Sequence, residues 1–318
     1  MRFVIAGGSG QVGQLFARQM TARGDDVVVL ARGPVAVGRA VAWDGRTMGD
    51  WALSIDGADV VVNLAGRSVN CRYTESNLRD MLDSRVESTR VVGQAIAVAA
   101  RPPRAWLQMS TATIYAHRFD AANGESGGRI GGDEEGAPAY WARSVNIAKA
   151  WEAALHEADT PRTRKVALRS AMVMSADKGG IFDVMLALVR RGLGGSAGNG
   201  RQFVSWIHGA DFVRAVDLLV AHEELEGAVN LAVPNPLPYR DFMRALREAW
   251  GARVGLPATK WMLEIGAWAM GTDTELVLKS RRVVPERLLA GGFSFDFPEW
   301  PAAAQELVAA WRSSRSMP

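Results

Sequence analysis

The chain opens on an unbroken apolar run from Phe3 to Ala6, the pattern of a parallel strand buried on both faces. After a glycine-rich stretch, Val12, Leu15, Phe16, Gln19 and Met20 recur at helical spacing until Gly24 ends the pattern. Val27, Val28, Val29 and Leu30 then form a second β-branched run, so strand, loop, helix and strand follow one another at the start of a βαβ unit. Further strands are expected over residues 40–43, 59–64, 105–109, 165–169 and 228–231, and helices over 78–99, 142–158, 181–190 and 212–221. Strands alternating with helices predict an α/β fold built on a doubly wound parallel sheet. That sheet domain is expected over 1–173, with returning segments over about 205–234. Residues 174–204 and 235–318 are expected to make a smaller, mainly helical C-terminal substrate lobe, punctuated by the glycines of 192–200 and by Pro234, Pro236 and Pro238.

A length of 318 residues, 48% of them hydrophobic, suits two domains with a sizeable core. No apolar run approaches the ~20 residues of a membrane helix, so a membrane is not an expected partner. The charges, 37 basic and 34 acidic, are interspersed and leave a net +3, which gives no footprint for nucleic acid. Cys71 is the single cysteine, so no internal disulfide forms and a reducing compartment is permitted. The first apolar run is too short for an export signal, and a cytoplasmic location is expected. His117, His156, His208 and His222 are scattered without ligand spacing, and no metal is expected.

Chemistry enters at Gly7-Gly8-Ser9-Gly10-Gln11-Val12-Gly13, which joins the first strand to the first helix. Glycine there lets the backbone turn tightly and lets a pyrophosphate approach the amides at the helix N-terminus. A plain tight turn is the alternative, and the flanking strands favour dinucleotide binding. At the tip of the second strand, where an NAD enzyme places an acid on the ribose, stand Ala31 and Arg32. A guanidinium pairs with a 2′-phosphate, so Arg32 points to NADP(H), with an exposed surface arginine as the alternative. The segments after the later strands matter most for a ligand: Ala65-Gly66-Arg67, Ser110-Thr111-Ala112 and Ser170-Ala171-Met172.

Nearly the whole chain resembles the extended short-chain dehydrogenase/reductase superfamily, and within it the atypical subgroup called epimerase family proteins. The likeness rests on the glycine motif, Asn63-Leu64-Ala65-Gly66, Leu82-Asp83-Ser84-Arg85-Val86, the stretch from Gly194 to Gln202, Trp206-Ile207-His208, the stretch from Val229 to Pro236, and Val284-Pro285 followed by Gly292-Phe293. It implies a Rossmann domain with NADP(H) held by Gly7, Ser9, Gly10, Gln11, Val12 and Gly13, with Ala31 and Arg32 at the adenosine phosphate. It further implies Leu64, Ala65 and Gly66 along the cofactor and Met172 near the nicotinamide. Arg85 stands where related epimerases carry asparagine; it is expected to reach a cofactor phosphate or a bound carboxylate, or else to pair on the helix surface with Asp80 or Glu87.

The superfamily's chemistry uses Tyr-x-x-x-Lys, and the matching stretch here is Val145-Asn146-Ile147-Ala148-Lys149. The usual acid is missing, while Lys149 is expected to bond the nicotinamide ribose and Thr111 to orient the substrate oxygen. Tyr115 and His117 are the substitute acids in the same region, Tyr140 has the wrong spacing, and Cys71 is expected to be inert. His208 is expected to tie its turn to Asp211, itself a candidate helix N-cap. Val204 stands where sugar-nucleotide epimerases hold a diphosphate with arginine. The implied function is an NADP(H)-dependent oxidoreductase on a small or medium carbonyl or hydroxyl substrate. A sugar-nucleotide epimerase or dehydratase and a non-catalytic NADP(H) sensor are the alternatives. An apolar stripe over Trp261, Met262, Ile265, Trp268 and Ala269, with Val204, suggests an apolar and weakly charged substrate.

Overall fold

The computed structural model describes residues 1–258 and 274–316, so the stripe from Trp261 to Ala269 lies outside the described residues. Seven strands, all parallel, form the central sheet: β1 (Arg2–Ala6), β2 (Asp26–Ala31), β3 (Arg39–Ala42), β4 (Val60–Asn63), β5 (Ala105–Thr111), β6 (Arg164–Ser170) and β7 (Gly227–Leu231). Their order is β7-β6-β5-β4-β1-β2-β3. The runs of Val, Leu and Ile in β1, β2 and β4 are continuous because both faces of these strands are covered.

The period-two alternation of a strand sorts these side chains between two layers. Phe3, Ile5, Val27 and Val29 pack with Leu15 and Phe16 of α1 (Gln11–Ala22) and with Phe212 and Val216 of α5 (Gly209–Ala221). Val4, Ala6, Val28 and Leu30 pack with Val91, Val92 and Ile96 of α2 (Glu75–Val98) and Leu155 of α3 (Ala142–Glu157). Each such side chain contributes roughly 1.5–3 kcal/mol on full burial. Thr74 starts α2 by accepting a hydrogen bond from the Asn77 amide.

A second core gathers α4 (Ile181–Arg190), α6 (Tyr239–Trp250) and α9 (Trp300–Ser316) around Trp300, which stacks on Phe242 at 3.9 Å. Trp206 belongs to this core and its neighbour Ile207 to the sheet's core, so the segment 206–208 is shared between them. Two shorter helices, α7 (Glu275–Leu278) and α8 (Glu286–Ala290), lie in the C-terminal part. Among the described residues no helix is long and apolar enough to cross a membrane.

The chain leaves β1 for β2 and β3 on one side and returns to β4 on the other. Strand order therefore reverses between β1 and β4, and a crevice opens between the loops that follow them, the place where ligands bind in such sheets.

Candidate functional site

An outer cleft of about 650 Å3 occupies that crevice. Gly7 turns the chain out of β1 with φ +73°, and its amide donates to the Leu30 carbonyl at 3.0 Å. A Cβ on Gly7 would lie 2.7 Å from the Ala65 Cα, so only glycine lets the two loops approach this closely. Gly10 is the N-cap of α1 and offers no side chain to its first turn, which leaves the amides there for an anion. A Cβ on Gly13 would fall 2.5 Å from the Gly8 Cα. Gly7, Ser9, Gly10, Ala31, Arg32, Leu64, Ala65 and Gly66 all line the cleft.

The side chains of other predicted residues are turned elsewhere. The Gln11 amide group donates to the Ser175 hydroxyl at 3.0 Å, and Val12 packs against the sheet's core. Met172 opens the short strand Met172–Met174, paired with Trp206–His208, and lines neither the outer cleft nor the inner cavity below.

The charges of the outer cleft are mostly answered from within. Arg46 pairs with Glu87 at 2.8 Å, and Arg67 pairs with Asp80 and bonds Asn77. Asp44 accepts from the Thr47 hydroxyl at 2.6 Å and from the amides of Thr47 and Arg46, and the hydroxyl's bond first, then the amides', holds its carboxyl down at about 2. Arg32 is exposed and has no hydrogen bond or ion pair among the described residues. It is the cation the cleft leaves available to an arriving phosphate.

Deeper in, a cavity of about 110 Å3 lies among α2, α3, the end of β5 and the segment from α7 onward. Thr111 ends β5 there, its hydroxyl accepting from the Thr113 amide at 3.1 Å. The register of α3 is fixed by Glu152, whose buried carboxylate takes both arms of Arg169 at 2.7 and 2.8 Å and the Ser110 hydroxyl at 2.6 Å. That register turns Ser144, Ile147, Ala148 and Trp151 toward the cavity.

The structure therefore places the expected pair one residue away from where the sequence motif suggests. Val145 is fully buried, and Lys149 is exposed on the side of Gly132 and does not line the cavity. The residues four apart on the cavity face are Ser144 and Ala148, and Ile147 and Trp151.

Four residues that the sequence reading did not single out complete this region. The Ser144 hydroxyl donates to Glu275 at 2.6 Å. Glu275 lies 3.6 Å from the Lys279 ammonium, both almost wholly buried. Lys279 donates to the Thr113 carbonyl, and Arg281 donates to the Thr113 hydroxyl at 3.1 Å. Burial pushes both Lys279 and Arg281 below their ordinary values. In sequence Glu275 and Lys279 are an i,i+4 pair, a spacing that reads as an exposed helix pair, and nothing local marks them as buried.

Arg85 makes neither of the helix ion pairs considered for it, since Asp80 is taken by Arg67 and Glu87 by Arg46. It donates to the Met81 carbonyl at 3.0 Å and lies 4.9 Å over the Trp151 ring. It lines the inner cavity and not the outer cleft. Gly66 adjoins it, and a Cβ there would be 3.2 Å from the guanidinium.

The two substitute acids do not reach the cavity. Tyr115 is buried, its hydroxyl donating to Asn230 at 2.9 Å and accepting from Arg169 at 3.0 Å, and burial pushes its pKa up. His117 accepts from the Ser280 amide at 2.7 Å through Nδ1, packs edge-on to Phe119 and Trp141, and is pushed down by burial. Tyr140 is partly exposed, with its hydroxyl 3.5 Å from that of Thr274.

His208 is not tied to Asp211. Its Nδ1 caps α5 by accepting from Ala210, and its Nε2 bonds Glu306 at 2.9 Å. Asp211 does not cap the helix either; its buried carboxylate takes the amides of Asp296 and Phe297, joining α5 to the C-terminal segment. Among the described residues no three His, Cys, Asp or Glu side chains cluster in a way that holds a metal.

A doubly wound parallel sheet with a glycine turn at its switch point defines a dinucleotide-binding Rossmann protein. More particularly, the chain belongs to the NAD dependent epimerase/dehydratase family, whose profile matches residues 3–232. A second profile, a domain of unknown function (DUF1731), matches residues 258–307. The human epimerase family protein SDR39U1 is 30% identical over 97% of this chain and 100% of its own length. Epimerase family protein YfhF of Bacillus subtilis is 27% identical over 97% of this chain and 98% of its own. The crystal structure of human SDR39U1 (isoform 2) with NADPH superposes with a TM-score of 0.84 at 29% identity, covering 97% of this chain and 99% of that one.

Proposed function

We propose that the protein binds NADP(H) in the outer cleft and is an oxidoreductase on a small carbonyl or hydroxyl compound held in the inner cavity. The observation that carries the cofactor reading is Arg32, an exposed guanidinium at the tip of β2 without a partner among the described residues, beside a cleft whose carboxylates are engaged, Asp44 in its own turn and Asp80 with Arg67. The likeness to human SDR39U1, whose crystal structure was determined with NADPH, supports it. The glycine turn and the amides of the first turn of α1 fit a pyrophosphate, and Leu64, Ala65 and Gly66 form the facing wall.

Bound NADPH supplies a hydride to a carbonyl carbon, or NADP+ accepts one from the corresponding alcohol. The chain's own part is to place that carbon and manage the proton on its oxygen. Thr111 offers a hydroxyl that holds the substrate oxygen without titrating. Ser144, held by Glu275, takes the place of the superfamily's tyrosine on the cavity face of α3, with no lysine four residues on. The cavity's 110 Å3 suits a small substrate rather than a sugar nucleotide, and the buried Val204 offers no charge to a diphosphate.

Calorimetric titration of NADPH and NADH tests the cofactor assignment. Wild type is expected to prefer NADPH by about 10- to 150-fold, the equivalent of ~1.5–3 kcal/mol for a charge-assisted bond, and Arg32→Asp to abolish the preference. Equal affinities in wild type would overturn it. Single-turnover oxidation of bound NADPH against a panel of small carbonyl compounds tests the chemistry, and no oxidation by any of them would favour the non-catalytic sensor.

A further inference from the structure

The lobe formed by α4, α6 and α9 carries a surface that neither cavity uses. The segments after α4 and after α6 run side by side there, the Leu256 amide donating to the Gly192 carbonyl at 2.7 Å and the Gly195 amide to the Leu256 carbonyl at 3.2 Å. Glycine at 195 allows this approach, since a Cβ there would lie 2.5 Å from the Leu256 carbonyl carbon. The paired segments leave three aliphatic side chains to solvent: Leu193, Val254 and Leu256 are 49%, 64% and 58% exposed.

Arginines surround these side chains. Arg191 and Arg253 are exposed on the same two segments. Beside them Arg190 lies 4.7 Å over the Trp311 ring, and Arg312 lies 4.5 Å over the Trp250 ring while donating to the Trp250 carbonyl at 2.9 Å. The rings support the two side chains and leave their guanidinium charges at the surface. None of these four arginines makes an ion pair among the described residues, because every carboxylate of α4, α6 and α9 is taken by another partner. Asp183 pairs with Arg315, Asp241 and Glu248 with Arg244, and Glu306 with His208.

We propose that this end of the lobe seats on a membrane surface rich in anionic phospholipid, with Leu193, Val254 and Leu256 entering the headgroup layer and the arginines pairing with lipid phosphates. Aliphatic side chains ringed by uncompensated cations match both components of such a surface. A nucleic acid would answer the arginines and leave the aliphatic side chains in water, and a second copy of the chain would bring the same four charges against its own. No spanning helix is needed, since an interfacial contact goes only as deep as the boundary between headgroups and acyl chains. Sequence led us to expect no membrane partner, and the structure supplies the surface that the sequence scatters over three helices and two loops. The proposal is independent of what either cavity binds.

Cosedimentation with vesicles tests it, comparing phosphatidylcholine alone with equal parts of phosphatidylcholine and phosphatidylglycerol. Wild type is expected to bind the mixed vesicles at least about tenfold tighter, with the margin shrinking as salt screens the surface charge. The double variant Arg191→Gln/Arg253→Gln is expected to lose about tenfold or more on the mixed vesicles. Leu193→Ser/Leu256→Ser, which leaves the charge unchanged, is expected to lose about fivefold or more. All four positions are solvent-exposed, so both variants should keep the wild-type unfolding midpoint, which serves as the check on their fold. Wild type that stays off the mixed vesicles, or binds both kinds equally, overturns the proposal, as does either folded variant binding like wild type. A wild-type dimer in light scattering that the leucine variant turns into a monomer also overturns it, by giving the face to a second copy.

Discussion

The outer cleft and the inner cavity share a wall, Gly66 lining one and Arg85 packed behind it lining the other, yet they are built on different principles. The outer cleft is made of backbone. Its walls are the turns directly after β1, β2, β3 and β4 with one face of α2, and its essential property, close approach of main chain to main chain, is written into single glycines. The inner cavity is made of side chains from elements far apart in sequence, Arg85 on α2, Ser144 on α3, Thr111 at the end of β5, and Glu275 and Arg281 beyond them. Its content depends on helix register and long-range packing, and a one-residue rotation of α3 exchanges a lysine for an alanine at the wall.

The largest effect expected follows from that dependence. Glu152 joins α3 to β5 and β6 through Ser110 and both arms of Arg169, with the two charged side chains only 9% and 13% exposed. Removing one partner of a buried pair typically costs about 3–5 kcal/mol, because the other charge stays buried alone. Glu152→Ala is expected to destabilise by that amount in urea unfolding. A loss below about 1 kcal/mol would mean that this pair does not hold the helix, and the account of how the inner cavity is set would break.

A smaller effect is expected on the outer cleft. The Gly13→Val side chain would begin 2.5 Å from the Gly8 Cα, a clash with backbone that no rotamer relieves. Overpacking of this kind costs roughly 1–3 kcal/mol and displaces the glycine turn. NADPH affinity should fall by about tenfold or more (~1.4 kcal/mol), read by calorimetry on the folded variant. Unchanged affinity would show that the glycine turn does not set the shape of the site.

This difference also governs what the amino-acid sequence discloses. The glycine turn, the β-branched runs and Arg32 at the tip of β2 are legible because each signal lies within a few residues of its cause. The seven sheet strands and the flanking helices follow from local periodicity, with boundaries shifting by a few residues, as where α2 begins at Glu75 rather than near residue 78. The inner cavity is not legible in this way. Glu275 and Lys279 have the spacing of an exposed ion pair and prove buried, and Ser144 has no motif of its own. His208 shows the same limit in the other direction: its turn suggested a local bond to Asp211, while its ring reaches Glu306 in α9.

The smallest expected effect separates the two registers of α3 most sharply. Motif spacing puts Lys149 beside the nicotinamide ribose, where its loss should weaken cofactor binding. The structure puts it in solvent beside Gly132, outside both cavities, with Ala148 at the wall. A substitution at an exposed helix position away from any site usually changes stability by less than about 0.5 kcal/mol. Lys149→Met is therefore expected to keep both its unfolding midpoint and its NADPH affinity, the latter within about twofold by calorimetry. Ala148→Lys supplies the contrast, since it points a new ammonium into the inner cavity beside Ser144 and the buried Glu275 and should be the poorly tolerated one of the two. Should Lys149→Met instead lose about tenfold in NADPH affinity, α3 would be turned by one residue. Val145 and Lys149 would then face the cofactor, and the inner cavity would have to be redrawn around them.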